Sequence, residues 1–505
     1  MLKMGFAKRA LLSAWLVAAG LSLGGCVSQI SEREMADLSQ RAVVSAVEAP
    51  QSDGAETREE LMTLYFLGED GVTLVPVTRK VAVQGGMSRA QAALDALLAG
   101  PAADERGVTW PDMGASRSAR ALEVSGGVAT VDLNAHARTL AQQTLYAVRL
   151  AIANTLTEFS EISYVNVLIG GREEGLDLSA TLPVGTLTHT DELNVSGRYN
   201  RLHGQRLSGE GVTLATTLYF PSQDGSLILP EVRNVAYAQV APIEYLYTIL
   251  GELGKGTSLA LCAKEFPAPM EYIEEMPEIV RTQDGYLAIE LCFGRELEED
   301  LTRSGMTLGV YMAMLSDTLM GFVPGVEGLK VSVGAKDVTA LNVRQTPDGR
   351  EIRFEHGLAT RNDFSGYVGA PATLYVMQGE GLKKTQCVIE QVRADDSRAR
   401  LEALMGVSGE DVFALPEGLG AGDILAVHAH GRTIAVNLSA DFRKALSELS
   451  QQYARSAVYA MVNTLTEGTR ASEVAFFFEG EQMDALAGAL EMRGTFVRNP
   501  GMVVD

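Results

Sequence analysis

Thr63-Leu64-Tyr65-Phe66, Thr217-Leu218-Tyr219-Phe220 and Thr373-Leu374-Tyr375-Val376 are three spellings of one segment, and their starts lie 154 and 156 residues apart. A period of that size sets the architecture before any local element does. In the first copy Met62, Leu64 and Phe66 alternate along one face of a strand. Glu69 to Gly71 turn the chain into a second strand, LVPV from Leu74, placed at an edge because Pro76 has no N–H for a ladder. Ser88 caps a helix whose stripe is Ala93, Leu94, Leu97 and Leu98, and Gly100 with Pro101 stops it. ALEVSGGVATVDLN reads as a hairpin turning at Gly126 and Gly127. Leu145, Val148, Ile152, Leu156 and Phe159 then follow a helical period, and YVNVLIGG closes the unit as a strand.

The same order returns after Thr217 and after Thr373. The expected fold is therefore α+β, three tandem modules, each a small sheet with two helices packed on one face. Residues 1–25 read as a signal peptide, 26–58 as a spacer, 59–173, 211–336 and 371–482 as the modules, 174–210 and 337–370 as connectors, and 483–505 as a tail. A length of 505 residues suits such a division.

At the amino terminus Lys3, Lys8 and Arg9 precede the apolar run Ala10 to Leu23, too short for an ordinary spanning helix and of the right length for a secretory signal core. Leu23-Gly24-Gly25-Cys26 follows and resembles a bacterial lipobox, so Cys26 is the expected lipidation site and the extracytoplasmic face of the cell membrane the expected location. Acyl chains insert with about 0.8 kcal/mol per buried methylene, so more than one gives a stable anchor. Losing the first 25 residues removes three cations and takes the formal charge from -22 to -25. That balance, with no basic stripe, argues against nucleic acid as a partner. Cys262, Cys292 and Cys387 show no CxxC spacing; a bridge between Cys262 and Cys292 and free buried thiols are both open.

The order TLYF, LVPV, AALDALLAG, VATVDLN, NTLTE, VNVLIGG resembles the GerM amino-terminal domain, GerMN, of sporulation and spore-germination lipoproteins. The first copy carries the likeness from about Glu59 to Gly171. Asn154 to Glu158 is matched at Asn463 to Glu467, whereas the second copy reads SDTLMG from Ser316, and the third has no counterpart of Pro76 and Pro230. The resemblance implies a module related to ring-building motifs of envelope assemblies and a role in sporulation or germination.

Residues that could carry chemistry are sparse. An arginine follows the second strand of each copy, Arg79, Arg233 and Arg393, and can serve either as a contact between modules or as an internal bond to a loop carbonyl or carboxylate. Asp132, Glu290 and Asn437 correspond in the second hairpin strand, and two acids with an amide do not share a general-base role. His428 and His430 share a strand face without an evident third ligand. GELGKGTS from Gly251 and GLGAGD from Gly418 lack the strand-before, helix-after context of phosphate loops and read as turns. No catalytic, cofactor or metal site and no small-molecule substrate is identified. The expected role is a non-enzymatic, lipid-anchored scaffold whose modules bind envelope proteins or one another. The alternative is a surface sensor working with a kinase or cell-wall hydrolase, which would need a concave site with converging polar groups.

Overall fold

The computed structural model describes residues 58–504, except 85–86, 114–120, 160, 177–180, 209–210, 380, 392–396, 410–411, 417, 431, 470 and 488–489. Cys26, its preceding segment and Arg393 lie outside the described residues.

The first module opens with strands β1 (Arg58–Gly68) and β2 (Leu74–Val83), paired antiparallel, followed by helix α1 (Arg89–Leu98), whose cap Ser88 accepts the Gln91 N–H. Strands β3 (Ala121–Ser125) and β4 (Val128–Leu133) form the second hairpin, helix α2 spans Gln142–Thr157, and β5 (Tyr164–Ile169) returns parallel to β4. The chain β4–α2–β5 is thus a crossover unit, the connection a parallel pair requires. After helix α3 (Ser196–Ser208) the order repeats as β6 (Val212–Pro221), β7 (Ile228–Tyr237), α4 (Pro242–Gly254), β8 (Ile273–Arg281), β9 (Leu287–Phe293), α5 (Leu308–Met320) and β10 (Gly328–Val333). The third module runs β11 (Gly369–Gln378), β12 (Gly381–Glu390), α6 (Ser397–Met405), β13 (Ile424–His430), β14 (Thr433–Leu438), α7 (Gln451–Thr466) and β15 (Glu473–Phe478), and a last strand β16 (Val503–Val504) pairs parallel with β12.

The α+β architecture is the one the repeat implies, with one refinement. Strands of each module divide between two sheets: β1–β2 and β3–β4–β5 in the first, β6–β7 and β8–β9–β10 in the second, β11–β12 and β13–β14–β15 in the third. The second long helix lies between them and touches both, so the helices do not share a single outer face. Composition explains it: α2 is buried without a break from Leu145 to Leu156, and every residue of α5 is buried. A helix apolar all round needs cover on more than one side. Pro76 and Pro230 occupy β2 and β7, whose outer edges form no further ladder among the described residues, while β12, which lacks the proline, gains β16 as a neighbour.

The core falls into two large bodies. One runs unbroken from Met62 to Val368 and joins the first two modules; the other, from Leu374 to Phe496, belongs to the third. Residues between the modules contribute to the first body, Leu176, Leu182, Leu187 and Val195 after β5 and Ile352, Phe354 and Phe364 after β10. Leu486, Met492 and Phe496 of the tail contribute to the second. Gly185 shows how tightly the first linking segment lies: its φ is +74°, and a Cβ there would stand 2.8 Å from the Ala215 carbonyl oxygen on β6.

Candidate functional site: three strand–helix clasps and the face between modules

Each TLYF-type strand leaves the tyrosine N–H without a strand partner, and a threonine from the central helix takes it. Tyr65 N–H donates to Thr155 Oγ1 at 2.9 Å, Tyr219 to Thr318 at 2.9 Å, and Tyr375 to Thr464 at 3.0 Å. All three contacts are buried, so each hydroxyl satisfies a donor that would otherwise be costly. This explains why the SDTLMG spelling works in the second copy, since its Thr318 stands where Thr155 and Thr464 stand.

The residue before that threonine grips the chain that follows the module. Asn154 bonds both backbone groups of Thr190, Oδ1 accepting from its N–H and Nδ2 donating to its carbonyl, each at 2.9 Å. Asn463 Oδ1 accepts from Asn499 N–H at 3.2 Å. In the second module the position is Asp317, which holds the Arg361 guanidinium at 2.6 Å. Trailing segments are therefore bound back onto the helices they leave. Three residues beyond that threonine, a glutamate capping the end of the first and third helices adds a surface group: the Tyr65 hydroxyl donates to Glu158 at 2.9 Å, and Tyr375 to Glu467 at 3.2 Å. His189 packs edge-on against Tyr65 at 5.9 Å, while Arg498, likewise just before the clasped residue, pairs with Glu467. Lys384 adds a second cation to Glu467 at 2.8 Å.

The second module has Gly321 in place of that glutamate, and its tyrosine is used differently. The outward side of β6 lies against the outward side of β4 and β5. Thr217 Oγ1 bonds Asn166 Nδ2 at 3.0 Å and Thr186 Oγ1 at 2.8 Å, and the Tyr219 hydroxyl is 3.4 Å from Thr130 Oγ1. Burial holds the Tyr219 phenol protonated well above its usual range. Arg361 closes the seam by reaching Glu123 on β3 at 3.3 Å as well as Asp317, with side chains only 9% and 3% exposed for Arg361 and Asp317. Burial drives the Asp317 carboxyl up, to about 6, although Arg361 opposes the shift. Alongside, Arg172 pairs with Glu327 at 2.8 Å.

The positions that make this face differ in the other modules. Where the first has Thr130 beside Asn166, the second has Glu290 paired to Lys330 at 2.6 Å on an open face, and the third has buried Ala435 and Ala475. Burying an ion pair under another hairpin would cost its desolvation. The third module attaches elsewhere: Ser125 Oγ donates to the Gly369 carbonyl at 2.5 Å, and Ile228 N–H to Tyr367 at 2.8 Å.

The residues singled out by sequence now have places. Arg79 donates to the Ala96 and Gly100 carbonyls at 2.5 and 3.2 Å, pairs with Glu105 at 3.3 Å and lies 5.2 Å over Phe66. Arg233 repeats this on Glu252, Gly256, Glu231 and Phe220. Both cap the C-terminus of their module's first helix, where a cation meets the orphan carbonyls. In the third hairpin the position opposite Ala372, equivalent to those opposite Met62 and Thr216, is Cys387. Asp132 Oδ1 accepts from Gly171 N–H at 2.7 Å, and Asn437 from Gly480 at 2.9 Å. The register puts Cys292, two residues beyond Glu290, in the matching place, so the correspondence with Glu290 is corrected by one pleat. Cys262, Cys292 and Cys387 are free thiols, and burial pushes Cys262 up to about 11. Gly251 and Gly254 lie in α4 and Gly256 just past it, while GLGAGD ends in a short turn. Among the described residues no group of three or more His, Cys, Asp or Glu is placed to hold a metal, and no helix is long and apolar enough to cross a membrane.

Repeated clasps and a hairpin-to-sheet seam define a tandem α+β module protein. The model of the Germane family, described as sporulation and spore germination, matches residues 63–175 and 373–484. These two matched regions are the first and third modules, which are similar to this family, and the second module shares their order of elements. Among solved structures it is similar to the tandem GerMN domains of the sporulation protein GerM from Bacillus subtilis, at 14% identity over 57% of this chain and 98% of that one, TM-score 0.22. The first GerMN domain of the same protein is 21% identical over 27% of this chain and 97% of its own, TM-score 0.20. A Clostridium perfringens protein provisionally described as a lipoprotein is 16% identical over 26% and 87%, TM-score 0.18. Curated protein sequences yield no match.

Proposed function

We propose that this protein is a lipid-anchored scaffold of the cell envelope, held by Cys26, that acts in sporulation or spore germination by docking its modules onto envelope proteins or onto other copies. The observation that carries the reading is the seam between the first two modules, in which one module's hairpin face lies on the next one's sheet face. The same hairpin face of the first module has no module upon it among the described residues: Leu61 is 68% exposed and Thr63 half-buried, while Tyr65 further along is covered by His189. Such faces suit association, because strand and sheet surfaces present alternating side chains at fixed spacing. Replacing Leu61 with Asp is expected to reduce crosslinked capture of envelope partners, or of a tagged second copy, from sporulating cells, and Cys26→Ser to release the protein from membranes. Unchanged capture, together with normal sporulation and germination on deletion, would sink the scaffold reading.

A further inference from the structure

Between the first and second modules lies a partly open cavity of about 400 Å³, lined by α2, β5, the segment after β5, α3 and the first strands of the second module. Its size falls in the range of small-molecule sites. Three features of its wall point the same way. Arg198 of α3 reaches it half-buried and makes no ion pair among the described residues; the exposed Glu192 carboxylate, which feels the Arg198 charge, is hydrogen-bonded to Arg201 at 2.8 Å instead. Among the described residues no carboxylate lines the cavity, in a chain with 64 acids against 42 basic residues. The hydroxyl of Tyr146, a residue only 2% exposed, is buried at the wall without a hydrogen-bond partner among the described residues. Burial raises the Tyr146 phenol above its usual range, with Arg198 near enough to oppose it, so the hydroxyl stays a donor.

A buried hydroxyl without a partner is uncommon and calls for one. A guanidinium with no ion-pair partner among the described residues offers a planar fork to a carboxylate or phosphate. Thr188, Thr213 and Asn234 add neutral donors and acceptors around the mouth, while Leu214 and the Tyr164 ring supply apolar surface. Polar groups on several sides of a partly apolar wall match the alternating C–H and O–H faces of a sugar ring.

We propose that this inter-module cavity binds a small anionic sugar, with Arg198 on its carboxylate or phosphate and the Tyr146 hydroxyl donating to a ring or hydroxyl oxygen. The site goes beyond the scaffold reading and stands whether or not the open hairpin face binds partners. Because the wall combines the first module and the connector that follows it with β6 and β7 of the second, an occupant would stiffen the seam between them.

The test is calorimetric titration of the full chain with glucuronate, glucose 6-phosphate and glucose, repeated on Arg198→Gln and Tyr146→Phe. At least one anionic probe is expected to bind about tenfold or more tightly than glucose, and Arg198→Gln to abolish that preference. Tyr146→Phe, which removes only an unpartnered oxygen, is expected to leave the melting temperature in place while weakening binding about fivefold. Preference for glucuronate over glucose 6-phosphate, or the reverse, identifies a sugar acid or a sugar phosphate. Absence of binding by both anionic probes at tens of millimolar, equal binding of glucose, or binding untouched by both variants would overturn the proposal.

Discussion

The first two modules share one core, whereas the third keeps its own, although all three are built on the same strand–helix clasp. The difference lies in a few outward positions. Thr130 and Asn166 face Thr217 and Tyr219 across a seam in which each polar group finds a partner, whereas Glu290 and Lys330 satisfy each other and keep their sheet face in water. One module design therefore yields both a fused pair and a separable unit, according to whether its outer face carries neutral hydroxyls or charge.

The sharpest way to break the comparison is to cut the chain. Residues 369–504 carry a closed core and should unfold cooperatively alone, within a few degrees of their transition in the whole protein. Residues 58–208 should not, because the single core they share with residues of the second module would be opened. Scanning calorimetry of the intact protein should accordingly resolve two transitions. Three transitions, or an isolated first module as stable as the third, would show that the shared core is not cooperative.

Next in size is Arg361. Replacing it with Ala strands Asp317 in the seam, and loss of one partner from a buried pair costs about 3–5 kcal/mol. The first transition should fall and the second stay. Joint replacement, Asp317→Leu with Arg361→Met, should recover much of the loss, since apolar side chains escape the desolvation penalty. In the third module the counterpart Asn463→Ala removes a neutral contact to Asn499, worth about 1 kcal/mol. Equal losses at the two positions, read from denaturant melts, would contradict the distinction.

Acid should divide the halves by sign. Asp317 titrates at about 6 when folded, above its usual 3.8, so the folded first pair holds its proton more tightly than the unfolded chain. That contribution is fully present below about pH 4 and lost as pH rises toward 6. Glu467 moves the other way: burial pushes it up, but the hydrogen bond from Lys384 and the charge of Arg498 outweigh burial and set it below 4.5. Its contribution is present above about pH 4.5 and lost as pH falls. Asp317→Asn and Glu467→Gln should change the pH slopes of the first and second transitions in opposite directions.

Much of this fold was legible in the strand alternation of TLYF and the helical stripes, because cores impose periods. Register was less so. The third hairpin turns two residues sooner than the others, which moves Cys387 into the place of Arg79 and Arg233, and the second sheet pairs one pleat beyond Glu290, at Cys292. The clasps were half visible: NTLTE stood out as a repeat, but its partners Thr190 and Asn499 lie 36 residues away, and Arg361 lies 44 residues from Asp317. Nothing local marks such residues. Thr130 and Asn166 read as ordinary strand positions until the next module covers them, and the cavity beside Arg198 exists only between two modules.

The smallest effect separates the three tyrosines. In the outer modules the hydroxyl donates to a carboxylate, Tyr65 to Glu158 and Tyr375 to Glu467, and a charge-assisted bond near the surface contributes about 0.5–1 kcal/mol. Glu158 also raises the Tyr65 phenol, after burial, to about 12. Tyr219 is more deeply buried, yet its hydroxyl stands 3.4 Å from Thr130, long for an O–H···O bond, so its removal takes away little. Tyr65→Phe and Tyr375→Phe should therefore each destabilise measurably, while Tyr219→Phe changes stability by less than about 0.5 kcal/mol. The most buried of the three hydroxyls would then be the least important, because the seam depends on the ring's fit and on Thr217. A large loss at Tyr219, by denaturant unfolding, would instead make the Thr130 contact a principal bond between the modules.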